Sequence, residues 1–224
     1  EGDDRYFVSP LETDGPQPPT PNPNTERMLE PPCRVIVEDE FARDFSPNNW
    51  FKGAGNRSIA EITDNAYQLR IGTGTGGTEA TMWGSLRDVY LRDARVESVI
   101  RVSKFTPDVD VRTGLWLRYQ DENGFLAFII NSKGSYTIAR WSNDRYNPLS
   151  PWARTTALRL GDDVVNTLRV DSSGDTFTFY INGQYVATVT DATWPEGRLA
   201  FFGAASTDDT PLVFNLDYVR VCEH

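Results

Sequence analysis

The chain has 224 residues, a length that allows one sizeable β domain with a buried core and a tail. Its formal net charge of −10 at pH 7 argues against a nucleic-acid partner and against an anionic membrane surface, because both require clustered Lys and Arg. The single histidine, His224, is the last residue of the sequence, so neither a histidine base nor a His-based zinc site is expected.

No segment of the sequence is expected to enter a membrane. None approaches the roughly 18 apolar residues that a membrane-spanning helix needs, and no signal peptide is visible. The sequence begins at Glu1 rather than Met, so any signal or anchor would lie upstream of it. Aromatic residues make up 12% of the chain and there are 17 glycines, a composition that favours strands and turns over helices.

Residues 1–32 differ in composition from the rest and contain eight of the 14 prolines. Proline-rich chain of this kind is extended and semi-rigid because it cannot form a regular ladder of backbone hydrogen bonds. We interpret this segment as a spacer. The alternative is a tail that wraps the domain, with Tyr6, Phe7 and Val8 docked on it. The folded domain is predicted to cover residues 33–224.

The two cysteines stand at opposite ends of this domain. Cys33 opens the first predicted strand (residues 34–41) and Cys222 closes the last (residues 214–222). First and last strands often pair side by side in a β-sandwich, so we predict a Cys33–Cys222 disulfide and an oxidising compartment. Two buried free thiols are the alternative.

Strand and turn patterns follow one another along the domain. A hairpin is predicted at residues 59–71 around Asp64-Asn65, followed by a long strand region at 88–105 with a bulge or bend. Residues 42–58 are predicted to be loop, with Trp50 and Phe51 under the sheet. Five central strands are predicted at residues 114–119, 125–131, 135–141, 166–171 and 176–182, with the turn Asn182-Gly183 leading into a strand at 184–189. Without a helix longer than one turn, this pattern predicts an all-β antiparallel sandwich of two sheets, or a jelly roll.

The order of these segments resembles the concanavalin A-like jelly rolls, especially the laminin G-like and 3-keto-disaccharide hydrolase-like domains of bacterial surface proteins. The resemblance covers roughly residues 40–222 and is carried by GLWLRYQDENGFLAFIINSKGSYTIARW, NTLRVDSSGDTFTFYINGQYVATV, GRLAFFG and LDYVRV. It implies an extracytoplasmic location and a fold that hosts lectins, glucanases and adhesion modules. The fold does not decide among these functions, so the function must be argued from the residues of the site.

A catalytic signature is missing from the sequence. Laminarinase-like members of this fold carry E-x-D-x-x-E on one strand, and the acidic runs at Glu38-Asp39-Glu40 and Glu61-Ile62-Thr63-Asp64 both fail this spacing. Glycoside hydrolysis needs one carboxyl group as acid and another as nucleophile or base. No such pair can be chosen from spacing, and we predict no catalytic residues.

Aromatic and planar polar side chains suit sugar binding, because rings stack on sugars and guanidinium groups bond hydroxyls. Strand alternation predicts that Leu115, Leu117 and Tyr119 face the core while Trp116 and Arg118 face outward on the concave sheet. Tyr136 and Arg140 alternate together on their strand. The predicted ligand-binding residues of this groove are therefore Trp116, Arg118, Tyr136 and Arg140. Alternatively, the two arginines pair with acidic neighbours and the aromatic rings cover them.

A second candidate is the insertion at residues 143–154, where Tyr146 and Trp152 flank two prolines. It is predicted to be a stiff loop that presents an aromatic rim, or one that Trp152 anchors onto the sheet. No cofactor is expected. A structural calcium ion is compatible with the oxygen ligands Glu38, Glu40 and Asp217, which lack any fixed loop spacing, so no ligands are assigned.

The sequence therefore leaves three functions open. The first is a non-catalytic extracytoplasmic module that binds carbohydrate or another surface polymer on the concave sheet. The second is a glycoside hydrolase-like enzyme whose carboxylates only the fold brings together. The third is a structural or protein-interaction domain.

Overall fold

A computed structural model describes residues 33–55, 58–72, 80–104, 109–206 and 212–223. The proline-rich segment 1–32 lies outside them, so its role as a spacer stays a prediction. The helical content of the described residues is a three-residue 3-10 turn, Ala42–Asp44, and none of their helices is long and apolar enough to cross a membrane.

The described residues form fifteen β-strands. Their bounds are β1 Arg34–Asp39, β2 Gly53–Gly55, β3 Ser58–Thr63, β4 Ala66–Ile71, β5 Ala80–Ser85, β6 Ala94–Ser103, β7 Asp110–Asp121, β8 Gly124–Asn131, β9 Ser135–Ser142, β10 Arg145–Arg154, β11 Asn166–Ser173, β12 Thr176–Ile181, β13 Gln184–Thr190, β14 Arg198–Ser206 and β15 Leu212–Glu223.

These strands form two antiparallel sheets. The larger sheet has the order β13-β12-β11-β6-β15-β4-β3-β2, and β1 also pairs with β15. The smaller, six-stranded sheet has the order β10-β9-β8-β7-β14-β5. The predicted all-β, two-sheet antiparallel sandwich is therefore confirmed.

Most predicted strands and turns are found in place. The hairpin of β3 and β4 turns at Asp64 and Asn65, both with positive φ, and Asn182-Gly183 joins β12 to β13. The prediction of a stiff loop at residues 143–154 is wrong, because this segment is strand β10. Since β10 is the edge strand and pairs only with β9, its prolines remove no hydrogen bond from a central ladder. Its register shifts between Pro148 and Ser150 and again before Ala153.

The core lies between the two sheets. Period-2 alternation turns the branched and aromatic residues of each strand inward, and Phe128 of β8 meets Phe179 of β12 with ring centroids 4.9 Å apart. Phe128, Phe179, Phe201 and Phe214 are fully buried. The predicted burial of Trp50 is confirmed at 2% exposure, whereas Phe51 is only half-buried.

The two ends of the domain lie side by side in the larger sheet. Strand β1 pairs with the C-terminal half of β15, with Val35 opposite Cys222. Cys33 and Cys222 form the predicted disulfide, which links positions 189 residues apart. The cross-link therefore closes nearly the whole sandwich into one covalent loop.

A buried carboxylate fixes the loop after β1. Asp39 is 2% exposed. It accepts hydrogen bonds from the backbone N–H of Phe41 and from the side chains of Ser46, Asn48 and Trp50. These four donors satisfy the carboxylate, and they hold the Trp50 indole in the core.

Candidate functional site

The outer face of the six-stranded sheet carries a second apolar cluster, separate from the core. It forms because the alternation of β7 turns Leu115 and Leu117 inward and Trp116 outward. The rings from neighbouring strands continue the cluster around Trp116. Its buried members are Trp116, Tyr119, Phe125, Ala127, Ala200 and Phe202, with Trp83, Ile129 and Trp141 packed against them.

Four of these rings form a continuous row across the strands. The Trp116 ring stacks on Phe125 with centroids 3.9 Å apart, and it contacts Trp83 at 5.4 Å. Phe125 in turn lies nearly parallel to Trp141 at 6.3 Å. Trp83 is held in place by its indole N–H, which donates to the Tyr119 hydroxyl at 3.2 Å. The row therefore runs from β5 to β9 and presents the partly exposed faces of Trp83 and Trp141.

A cleft of about 580 Å³ opens over this row. It exists because alanines occupy the outer face beside the tryptophans. Ala127 lies directly opposite both Trp116 and Ala139 across the strands, and Ala204 lies opposite Arg112. These short side chains leave a depression between larger neighbours.

Two exposed rings of the edge strand β10 form one wall of the cleft. Tyr146 and Trp152 are 41% and 43% exposed and both line it. The Thr137 hydroxyl donates to the Ser150 carbonyl at 2.8 Å, so the Tyr146 hydroxyl, 3.0 Å away, is the donor to Thr137. This hydrogen bond fixes the Tyr146 ring, while no contact between Trp152 and another ring occurs among the described residues.

Polar groups stand at the two ends of the cleft. Gly124 pairs with Ser142, so the turns after β7 and after β9 lie at the same end and bring Glu122, Asn123 and Asp144 to the cleft. Arg112 lines the opposite end and lies 3.7 Å from the Asp110 carboxylate. The site is thus an apolar floor with hydrogen-bonding groups at both ends.

The predicted groove of Trp116, Arg118, Tyr136 and Arg140 is not formed. Arg118 is the first residue that lies elsewhere. Its register with β8 shifts after Leu117, and Arg118 has a φ of 52°, so the alternation of β7 reverses there. Arg118 therefore points to the core side, 4% exposed, with its guanidinium 5.2 Å over the Phe177 ring. Tyr119, predicted to be core, lies on the outer face instead.

The Arg118 guanidinium contacts backbone carbonyls rather than the cleft. It donates to the carbonyls of Arg92, Gly174 and Trp194 at 2.5, 3.2 and 3.1 Å. Burial lowers the pKa of this guanidinium below its usual value, opposed by the negative charge of Asp93. The arrangement ties three segments of the sandwich together.

Tyr136 and Arg140 also lie on the core side of β9, because the buried Ile138 between them fixes the phase of that strand. Tyr136 donates its hydroxyl to the Val186 carbonyl of the opposite sheet at 2.8 Å, and burial raises its pKa. Arg140 binds Asp191 at 3.2 Å at the end of the sandwich. Of the six predicted residues, the structure brings Trp116, Tyr146 and Trp152 together in the cleft.

The sequence leaves four rings of the cleft unassigned, Trp83, Phe125, Trp141 and Phe202. The signal for two of them was present. Ile138 and Phe128 fit a core face, and this choice of phase places Trp141 and Phe125 outward. Trp83 had no such signal, because it lies beside Gly84 in a segment without clear alternation.

The carboxylates near the cleft do not form an evident catalytic or metal centre. Glu122 and Asp144 are the acidic residues that line it, and both lie in turns. Among the described residues, no group of three or more His, Cys, Asp or Glu side chains is arranged to hold a metal ion. Glu38 accepts a hydrogen bond from Tyr218 at 2.9 Å, and Asp217 pairs with Arg101 at 2.9 Å. A structural calcium ion stays a prediction of the sequence.

Solved structures share this fold at low sequence identity. The carbohydrate-binding module CBM66 from Bacillus subtilis matches with a TM-score of 0.53 and 15% identity, over 73% of this chain and 95% of its own. The catalytic domain of an endo-1,3-beta-glucanase (laminarinase) from Thermotoga petrophila RKU-1 matches with a TM-score of 0.60 and 9% identity, over 86% and 98%. A laminarinase from Flavobacterium sp. UMI-01 matches with a TM-score of 0.59 and 13% identity, over 85% and 100%.

No protein-family model matches the sequence, and no curated protein matches it. The structural matches establish that the chain has the concanavalin A-like jelly-roll fold that its strand order resembles. At these identities the likeness concerns the fold alone.

Proposed function

We propose that this chain is a non-catalytic extracytoplasmic module that binds carbohydrate in the aromatic cleft of its six-stranded sheet. The observation that carries the proposal is the row Trp83–Trp116–Phe125–Trp141, continued on the edge strand by Tyr146 and Trp152. Sugar rings have apolar faces that stack on aromatic rings, and hydroxyl groups that need hydrogen-bonding partners at the edges. The cleft offers both.

The exposed rings are costly unless they have a function. A soluble β-sandwich normally keeps large apolar side chains scattered on its surface, and a contiguous exposed patch marks a binding site. Tyr146 and Trp152 stand over a cleft rather than filling it. The fixed Tyr146 ring also reduces the conformational entropy that binding would cost.

The length of the aromatic row, and its direction across the strands, favour a polymeric ligand over a single sugar. Six strands about 4.8 Å apart span roughly 24 Å. The rings of the cleft come from β5, β7, β8, β9, β10 and β14. An extended chain lying across the strands would contact several of them at once.

The proposed location follows from the disulfide. Disulfides persist in oxidising compartments and are rare in the reducing cytosol. The Cys33–Cys222 cross-link therefore supports a secreted, periplasmic or surface-exposed domain. The similar solved structures, a carbohydrate-binding module and two laminarinases, agree with a glycan partner.

Binding to a glycan array and affinity electrophoresis in polysaccharide gels test the proposal. Tyr146→Ala is compared with Tyr90→Ala, an identical substitution at a tyrosine that is 58% exposed and does not line the cleft. One stacked ring contributes about 0.5–1.5 kcal/mol, so Tyr146→Ala and Trp152→Ala should each weaken binding about 2- to 10-fold. Equal retardation of Tyr146→Ala and Tyr90→Ala, or no glycan bound, would contradict the proposal.

A glycoside hydrolase is the second candidate, favoured by one observation. Glu122 and Asp144 lie at the same end of the cleft, and a hydrolase needs two carboxyl groups beside its substrate. We expect the wild type to release no reducing sugar from a polysaccharide that it binds. Release that is lost in both Glu122→Gln and Asp144→Asn would establish the enzyme instead.

A further inference from the structure

A second cavity adjoins the aromatic cleft and is lined by two arginines. It has a volume of about 380 Å³ and shares Trp83 and Glu122 with the cleft. Arg87 and Arg198 line it together with Phe51, Ser85 and Tyr119. Because Trp83 borders both spaces, a ligand that stacks on this ring can reach into the second cavity.

Strand pairing places the two arginines opposite each other. Ser85 of β5 pairs with Ala200 of β14, and the Leu86 N–H donates to the Leu199 carbonyl at 2.8 Å. Continuing this antiparallel register sets Arg87 opposite Arg198. Leu86 and Leu199 are fully buried, so alternation turns both arginines to the outer face.

Each guanidinium is held over an aromatic ring. Arg87 lies 5.1 Å from the centroid of the Phe51 ring, and Arg198 lies 4.9 Å from that of Tyr119. Arg198 also donates through Nη2 to the Gln120 carbonyl at 2.7 Å. These ring and carbonyl contacts position both cations in the cavity without neutralising them.

Within the described residues, neither arginine has an ion-pair partner. The ion pairs of this part of the chain involve other arginines. The Nε of Arg198 is buried and lacks a hydrogen-bond partner in the structure. Like charges on opposed strand positions are destabilising, and so is a buried donor without an acceptor. An anion bound beside the two guanidinium groups offsets the repulsion between them.

We propose that this cavity is an anion subsite, and that the glycan bound in the cleft carries carboxylate or sulfate groups. This inference rests on the proposed function and specifies its ligand. A guanidinium offers two parallel N–H donors, which match the oxygens of either group. The subsite is cationic within a chain whose net charge is −10, so the two arginines are the local feature that selects an anionic polymer.

Substitution of Glu122 should change the affinity for an anionic polymer in the opposite direction from substitution of the arginines. Glu122 is the acidic residue that lines this cavity, and it lies at the border with the cleft. Its carboxylate repels an anionic ligand. Glu122→Gln should therefore strengthen binding of a charged polymer severalfold, and by clearly more than it changes binding of the neutral partner polymer.

Affinity electrophoresis with matched polymers tests the subsite. The carboxylate pair is polygalacturonate and its methyl ester, and the sulfate pair is carrageenan and agarose. The variants are Arg87→Gln and Arg198→Gln, with Arg34→Gln as a control for charge, because the Arg34 side chain is 77% exposed on β1 of the other sheet. Arg87→Gln is at an exposed position and should fold normally.

We expect Arg87→Gln and Arg198→Gln each to weaken binding of one charged polymer about tenfold, as for a lost hydrogen bond to a charged group. Binding of the neutral partner polymer and of all polymers by Arg34→Gln should not change. A response in the first pair alone identifies a uronate, and a response in the second alone identifies a sulfate ester.

Two results would overturn the subsite. If Arg87→Gln leaves binding of every charged polymer unchanged, while Trp152→Ala weakens binding of a neutral one, the cleft binds glycans without an anion subsite. If no polymer of either pair is retarded, and the glycan array is also negative, the proposed function fails together with this inference.

Discussion

Substitution of Arg118 distinguishes a structural role of this residue from a ligand-binding role. Its sequence position predicted a sugar-binding side chain, but its guanidinium lies on the core side of the six-stranded sheet. The perturbation is Arg118→Leu, which keeps an apolar side chain on the core side and removes every donor. Arg118→Lys is the matched variant, because it keeps the charge without the planar fork of donors.

The expected loss follows from the three hydrogen bonds of the guanidinium. The carbonyls of Arg92, Gly174 and Trp194 each lose a charged donor, and a hydrogen bond to a charged group contributes about 1.5–3 kcal/mol. Water can reach some of the freed carbonyls at the end of the sandwich. We therefore expect Arg118→Leu to lower the free energy of unfolding by about 3–5 kcal/mol, and Arg118→Lys by less.

Urea unfolding followed by tryptophan fluorescence measures this loss, and a polysaccharide gel measures binding by the folded fraction. The midpoint should fall for Arg118→Leu while the denaturant slope stays constant. Folded Arg118→Leu should bind glycan as the wild type does. An unchanged midpoint together with lost binding would refute the structural assignment and restore Arg118 as a ligand residue.

Three further predictions concern stability. Replacing Cys33 and Cys222 by serine should lower the free energy of unfolding by about 5 kcal/mol in the chain-entropy model, since the cross-link spans 189 residues; an unchanged urea midpoint would contradict this. Asp39→Ala should cost about 2–4 kcal/mol because it leaves buried donors without an acceptor, which the same unfolding assay checks against Asp175→Ala at an exposed position. Burial raises the pKa of Asp171, but hydrogen bonds from two arginines hold it below its usual value. Its stabilisation is therefore present above pH of about 4 and is lost at lower pH, so Asp171→Asn should flatten the fall of the urea midpoint between roughly pH 5 and pH 2.

Local turn chemistry made much of the sandwich predictable. Asp64-Asn65 and Asn182-Gly183 adopt the positive φ angles that these residue types tolerate, and both join strands as predicted. The pairing of the first and last strands was predictable as well, because Cys33 and Cys222 stand at the two ends of the domain. These features depend on residues close in sequence or on the covalent link itself.

The facing of β7 could not be predicted from the local pattern, because the phase of the strand changes at Arg118, where the backbone contacts a residue 79 positions away. Gly197 packs on the backbone of Arg118, where a Cβ would come within 2.4 Å of the Arg118 carbonyl carbon. This close approach accompanies the shifted register and the positive φ of Arg118. No local pattern around Arg118 signals it, since neither Gly nor Pro follows at once.

The candidate site was predictable only in part, because it also depends on the pairing of different strands. The sequence offers Tyr146 and Trp152 either as an aromatic rim or as an anchor of their segment, and the prolines between them indicate a loop instead of the edge strand that is found. The depression beside them depends on alanines of β8 and β9 that pair across the sheet. The arginine cavity likewise needs Arg87 and Arg198, which only the pairing of distant strands brings together.

The most direct test of the proposed cleft is a titration of the protein with a bound polysaccharide, observed through the indole N–H signals of its tryptophans by NMR. Binding over the aromatic row should shift the signals of Trp83, Trp141 and Trp152. The signals of Trp50, which is buried at 2% exposure, and of Trp194, which lines a different hollow, should stay in place. A shift confined to Trp194, or a ligand that moves none of the three cleft signals, would contradict the account.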